Sequence, residues 1–411
     1  SYFYPSVSLS SVLSDYFKVS PKLDYLKVYT SWARVSNDLT PYNTSATFAK
    51  DVTYGSTPSV SYPRGIINPN ILPERSTSLE AGLAFALFKN RLALDFTYYN
   101  VLDENQIIDL AISQASGFST RKVNGNQYRT NGLEIMLNAT PVKNAALTWN
   151  TALNWSKYVQ KLSAIYDNQP RFGNFQVGDR SDSYYATVWQ RSATGELILN
   201  PNTGMPIQDP YAKNLGHLNP DWQFGFLNTV QYKGFTFHVD IDGAFGGIMN
   251  SNTIEKMWWA GKHPNSTLHR DAEYSSGDYV YVPNGVVVTS GQVIRDIYGQ
   301  VTSDTRTYAP YGKAVSWQSW SQQYPYRARV TAEEDAFFAN TYSRSFVKLR
   351  RVSASYDLDR FVKGLSATVF GYNLAVWKKI PYIDPDFKLG NDSDLQDPSS
   401  RYIGASLNFK F

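Results

Sequence analysis

Apolar and polar residues alternate with a period of two along much of this chain, in segments of about ten residues. In the last of these, 402–411, Ile403, Ala405, Leu407, Phe409 and Phe411 share one face. Gly404, Ser406, Asn408 and Lys410 share the other. That is the period of a β-strand whose two faces meet different surroundings. In 235–245, Phe235, Phe237, Val239 and Ile241 alternate with Thr236, His238, Asp240 and Asp242. Leu147, Trp149, Thr151, Leu153 and Trp155 alternate with Thr148, Asn150, Ala152, Asn154 and Ser156. Trp222, Phe224, Phe226, Val230 and Tyr232 form one side of another segment. Segments 79–87 and 133–139 follow the same rule, with Glu80 and Glu134 on the polar side.

A soluble β-sandwich also alternates. Three features favour a wall between lipid and a watery lumen: the strand length, aromatic residues near strand ends, and connections that are either very short or very long. Strands are expected at about 1–10, 24–34, 76–88, 91–102, 128–139, 145–157, 221–232, 235–245, 346–357, 365–374 and 401–411. The connections 89–90, 140–144, 233–234 and 358–364 are short, and 11–23 is the longest on that side. Those at 35–75, 103–127, 158–220, 246–345 and 375–400 are long. Short periplasmic turns and long extracellular loops are the polarity of outer-membrane barrels. The expected fold is therefore all-β, a transmembrane antiparallel β-barrel. Eleven strands is an odd count, whereas single-chain bacterial barrels have even ones, and open edges in lipid are prohibitive. A missing upstream half is the expectation, with the first strand descending from an extracellular loop.

Composition is compatible with this and narrows it. Mean hydropathy is −0.38 and 15% of residues are aromatic. No stretch approaches the run of about eighteen apolar residues that a membrane helix needs. A barrel tolerates that, since only alternate strand residues face lipid. Without cysteine there is no disulfide framework, thiolate metal site or lipidated amino terminus on this chain. A net charge of +4 makes no case for nucleic acid. Ser1 opens without a basic n-region or apolar h-region, so a mature or partial chain is expected.

Several segments, in order, resemble the SusC-like branch of TonB-dependent outer-membrane transporters of Bacteroidota. YPSVS at 4–8 is similar to that family's aromatic-PSVS strand, and LKVYTSWARVSN at 26–37 to its LKLRASYGxxGN segment. Arg34 and Val35 depart from the glycine-bearing end of the latter. SLEAGLAFALFKNRLALDFTYYN at 78–100 resembles its hairpin with a central N-R-L turn. Asn124-Gly125 and Asn131-Gly132-Leu-Glu134 resemble its Asn/Gly run at a different spacing. SFVKLRRVSASY at 345–356 and GYNLAVW at 371–377 resemble its penultimate strands. The resemblance implies a 22-stranded barrel, of which this chain is about strands 12 to 22, filled by an amino-terminal plug that contacts TonB. It also implies a SusD-like surface lipoprotein as lid and import of oligosaccharides or peptides. A terminal aromatic such as Phe409 or Phe411 resembles the signal by which such barrels are recognised for assembly.

Candidate chemistry lies in loops and on the polar face. The segment 246–345 carries Trp258, Trp259, Trp317, Trp320, Tyr324 and Tyr326, whose flat rings suit sugars and peptide side chains. The competing roles are packing the loop on itself and docking the lid. Loop 158–220 carries Arg171, Phe172, Arg180, Tyr184, Tyr185 and Trp189, with packing favoured. Glu80, Asp95, Glu134, His238, Asp240 and Asp242 are expected in the lumen, holding a plug or lining the path. Asp384, Asp386, Asp392, Asp394 and Asp397 form a weak calcium candidate without EF-hand spacing. The histidines show no metal spacing. Glu333, Glu334 and Asp335 do not define a glycosidase pair, and no nucleophile elbow, HExxH or phosphate loop occurs. No cofactor and no covalent chemistry are expected. The rival readings are a passive porin-like channel and a soluble adhesin or glycan-degrading enzyme.

Overall fold

The computed structural model describes residues 3–17, 20–38, 45–323, 341–386, 391–392 and 399–410. Eleven strands form one antiparallel sheet in which spatial order equals chain order. They are β1 (Ser6–Val12), β2 (Leu23–Asn37), β3 (Glu74–Leu87), β4 (Leu92–Glu104), β5 (Gln127–Lys143) and β6 (Leu147–Ala164). β7 (Trp222–Tyr232), β8 (Phe235–Phe245), β9 (Phe346–Asp357), β10 (Leu365–Lys378) and β11 (Tyr402–Phe409) complete it. Every segment with period-two patterning is a strand of this sheet. Several run further than the pattern did: β6 has 18 residues, where about 9–11 suffice to cross a bilayer. The surplus lies at the long-loop end, where alternation gives way to polar sequence and periodicity no longer marks the strand.

The two faces are as different as the alternation requires. Leu9, Val369, Ile403 and Leu407 are 69%, 59%, 80% and 74% exposed on the outward face. A soluble protein would not leave such a band uncovered, whereas lipid covers it. On the inward face two close approaches bring neighbouring strands together. The Tyr29 ring lies over Gly82 and the Tyr99 ring over Gly132, its register partner, and a Cβ at either glycine would overlap that ring. Aromatic cover of a strand glycine is a known means of holding sheet curvature and register. Phe370 covers Gly404 in the last pair in the same manner.

The apolar core lies outside the sheet, in the long connections. Leu199, Met249, Ile254, Trp258, Val315, Trp317, Trp320, Ile380 and Ile383 form one buried cluster. Its members come from three separate connections, so these fold together as a cap at one end of the sheet. Helices α1 (Asn252–Trp259), α2 (Arg270–Ser276) and α3 (Trp317–Gln323) belong to this cap. Ser251 caps α1, its hydroxyl accepting from Ile254 N at 3.1 Å. Leu199 N donates to Val286 O at 2.8 Å, and Arg295 pairs with the buried Asp209 at 3.0 Å. These contacts lock the connection after β6 to the one after β8.

A second cap joins the connections after β2 and β4. Gly65–Ile67 runs parallel to Thr120–Asn124, which pairs with Ile107–Ala111. The Asn124 amide accepts from Leu72 N and donates to Leu72 O, both at 2.7 Å, and donates to Asn105 O. Gly125 follows because a Cβ there would strike Ile108. No described helix is long and apolar enough to cross a membrane.

Candidate functional site

Strand register puts Glu80, Asp95, Glu134, His238, Asp240 and Asp242 on the inward face. One row across the sheet reads Ala84, Asp95, Met136, Asn154, Gly225, Asp242, Lys348. The next reads Gly82, Thr97, Glu134, Ser156, Gln223, Ala244. These rows line a concavity of about 720 Å³ that also takes in Arg344, Phe346 and Asp386.

Charge is distributed unevenly around that concavity. On β3 to β5, Glu80, Asp95 and Glu134 have no salt-bridge partner among the described residues; Asp95 accepts a hydrogen bond from the Tyr29 hydroxyl at 3.2 Å. On β8, Asp240 and Asp242 are both paired with arginines of β9. A bulge at Arg350 in β9 turns two consecutive arginines toward the same face. Arg350 binds Asp242, Nη2 to Oδ2 at 2.7 Å, and Arg351 pairs with Asp240 at 2.7 Å. His238 Nδ1 pairs with the Thr229 hydroxyl at 3.0 Å.

The segment after β10 is tied into this network. Lys348 Nζ donates to Asp384 at 2.6 Å and to Asp386 at 3.0 Å, and Arg350 also binds Asp386. Burial disfavours the charged form of Asp384, but the hydrogen bonds from Lys348 and the Asp386 amide outweigh it. They hold the carboxyl below its ordinary range. Asp386 is lowered too, since Arg350 and then Lys348 overcome its burial. Arg344 donates to Pro385 O and Leu218 O at 3.3 Å, and burial pulls its guanidinium down against the opposing pull of Asp386.

Two members of the calcium candidate, Asp384 and Asp386, are thus engaged by cationic side chains. Lys348 pairs with both carboxylates and Arg350 with that of Asp386. The described residues contain no cluster of metal-ligating side chains. Asp392 lies in a short strand beside Ser251, while Asp394 and Asp397 lie outside the described residues.

The loop aromatics separate into two groups. Trp258, Trp317 and Trp320 are 1%, 1% and 2% exposed and pack the cap, with Trp258 and Trp317 also forming part of the wall of the cleft beside Trp259. Trp317 Nε1 donates to Ser266 O at 2.7 Å, and Trp258 stacks on His263 at 4.1 Å. Trp259, one residue further along α1, is 57% exposed. It borders an open cleft of about 530 Å³ with Arg270, Tyr274, Asp278, Tyr279 and Gln318. Exposed rings beside guanidinium, carboxylate and amide groups combine stacking surface with hydrogen-bonding groups. Tyr324 and Tyr326, like the acids 333–335, lie outside the described residues.

Four of the candidates in loop 158–220, Arg171, Arg180, Tyr185 and Trp189, are engaged in contacts within the connections. Trp189 is 5% exposed and Arg171 lies over the Tyr298 ring at 4.5 Å. Arg180 grips Asp182 through two bonds, at 2.8 and 3.0 Å, and reaches Asp221 at 3.0 Å. His217 Nε2 pairs with Asp221 at 3.0 Å; burial, then the charge of Arg180, pushes its imidazole below the ordinary value. The Tyr185 hydroxyl donates to Asp179 at 2.6 Å and is pushed up to about 12, chiefly by burial.

Sequence reasoning missed Lys348, Arg350 and Arg351 as partners of the inward acids. The signal was present: Lys348 has inward parity in a strand two along from Gly225. It also missed Arg270, Tyr274, Asp278 and Tyr279, which carry no periodicity at all. Phe409, half exposed, ends the outward face of β11; Phe411 lies outside the described residues.

No protein-family model matches the chain. Among curated proteins it is similar to TonB-dependent receptor P3 of Formosa agariphila, at 23% identity over all of this chain and 42% of the relative. TonB-dependent receptor P26 of the same organism is 22% identical over 71% of this chain and 34% of the relative. The chain therefore spans less than half the length of the curated relatives it matches. Among solved structures, the RagAB peptide transporter superposes with a TM-score of 0.67 at 16% identity, covering 99% of this chain and 43% of that one. The RagAB peptide importer in its open-open state gives 0.64 at 15% identity, covering 99% and 42%.

Proposed function

We propose that this chain, similar along its whole length to a TonB-dependent receptor, is the carboxy-terminal half of the barrel of a SusC-like, TonB-dependent outer-membrane receptor and supplies half of the wall and much of the outer mouth of a nutrient importer. In this reading the short turns face the periplasm. The caps built from the connections after β2, β4, β6, β8 and β10 face outward. A SusD-like surface lipoprotein closes over the mouth, and an oligosaccharide or oligopeptide is taken up. An amino-terminal plug sits against the inward face, and its displacement through TonB opens the path. The protein performs no covalent chemistry; relatives at this likeness are receptors and transporters.

The observation that carries the reading is the inward face itself, a continuous polar surface joined by salt bridges to the cap that holds the aromatic cleft. The uncompensated carboxylates Glu80, Asp95 and Glu134 suit basic groups of a plug. A lumen that holds a plug must satisfy its charges. The paired charges on β8 and β9 instead hold the cap in place. A peptide cargo, such as that of the RagAB peptide transporter, suits the cleft through Arg270 and Asp278 as well as a glycan suits its rings.

The test is uptake of labelled oligosaccharides and oligopeptides by cells carrying the full receptor, with and without TonB. Import of one class, lost without TonB, is expected. Import unchanged without TonB makes the protein a passive channel and refutes the reading.

A further inference from the structure

The last four strands leave an open groove of about 640 Å³ on the outward face, lined by Phe235, Ala354, Tyr356, Ala367, Val369 and Leu407. Small and large side chains are sorted along its length. One rung reads Ala354, Val369, Ala405, and the rung nearer the short turns reads Tyr356, Ala367, Leu407. Alanines form the floor. Phe235 and Tyr356, with ring centroids 4.4 Å apart, form a wall at the foot.

The foot of the groove opens at a basic rim. Lys233, Arg360, Lys363 and Lys410 are all exposed in or beside the turns below it. Two acids share that rim. Asp359 accepts from Gly364 N at 2.7 Å and Asp357 from Asp359 N at 2.8 Å, so both are engaged in shaping their own turn. Phe361, 76% exposed, adds an apolar ring at the same level.

We propose that this groove seats one acyl chain of an anionic phospholipid, with its phosphate held at the basic rim by Arg360 and Lys363. The groove is continuous with the lipid-facing band, so hydrocarbon covers it in any case. A cationic rim at the foot places a phosphate where an ascending chain would begin. Assignment to the periplasmic leaflet rests on the orientation adopted above.

The experiment is native mass spectrometry of the intact receptor, reconstituted with palmitoyl-oleoyl phosphatidylglycerol or phosphatidylcholine and returned to detergent. Wild type is expected to retain about one phosphatidylglycerol and less phosphatidylcholine. The double variant Ala354→Leu, Ala405→Leu fills the floor with outward side chains that lipid tolerates. It should retain roughly tenfold less, the effect of losing contact with about two methylene groups. Arg360→Gln with Lys363→Gln should abolish the headgroup preference. Heat-dependent gel mobility confirms that each variant folds. Equal retention by the filled variant, or no retained phospholipid in wild type, overturns the proposal. So does an unchanged headgroup preference in the rim variant. Uptake is a separate readout, so failure here and failure of the transport reading are distinguishable.

Discussion

Lys348→Ala tests how the cap is held to the wall. In the intact protein the Lys348 and Asp384 side chains are 6% and 5% exposed, with 2.6 Å between nitrogen and oxygen. Removing the ammonium leaves a carboxylate buried without its counter-charge. Breaking one partner of such a pair typically costs about 3–5 kcal/mol. Arg350 and Asp242 are 32% and 30% exposed in their side chains, and solvent screens that pair. Arg350→Ala should therefore cost less, about 1 kcal/mol for the loss of the partly exposed pairs with Asp242 and Asp386. The double variant Lys348→Ala, Asp384→Ala removes both charges and should recover most of the loss. Guanidinium unfolding of the full receptor in phospholipid vesicles measures all three. Hydrogen exchange over 379–386 reports whether the loss is local to the segment after β10. Equal costs for Lys348→Ala and Arg350→Ala would refute the reasoning, as would a double variant no more stable than Lys348→Ala.

Acid should loosen the same segment. Asp384 and Asp386 titrate lower when folded than in the unfolded chain, where the value is about 3.9. Their contribution is present above about pH 4 and lost as pH falls through the folded values; exchange over 379–386 should rise there, but not in Asp384→Asn with Asp386→Asn. Gly132→Ala should cost about 1–3 kcal/mol because the Tyr99 ring must move away, with part recovered in Gly132→Ala, Tyr99→Ala. An unfolding midpoint unaffected by Gly132→Ala would remove the close-approach argument. Trp258→Ala should destabilise the cap by about 3–5 kcal/mol, whereas Trp259→Ala should change stability by less than about 0.5 kcal/mol. If the cleft binds ligand, Trp259→Ala should weaken it about tenfold in titration calorimetry. Unaltered affinity would take the cleft out of the binding path.

Period-two alternation is a local property, and the sequence by itself determined the wall. It set the eleven strands, their neighbours through the short turns, and which side of each faces lipid. A strand whose faces meet hydrocarbon and water cannot slip by one residue without inverting its whole pattern. Phe235, Phe237 and Val239 therefore announce their face, and Asp240 and Asp242 theirs. The tertiary structure alone decided what the loops do. Trp258 and Trp259 are identical in type and adjacent in the chain, yet one is buried in the core and the other stands exposed at the cleft. Helix geometry turns consecutive side chains by about 100°, and only the packing of three distant connections determines which direction is inward. Asp384 and Asp386 look like a cation site in the linear sequence. Folding brings them instead to Lys348, which faces inward by parity, and to Arg350, which a bulge in β9 turns to the same face. Long-range pairing of this kind leaves no period in the chain: parity puts Lys348 on the inward face but does not name its partner.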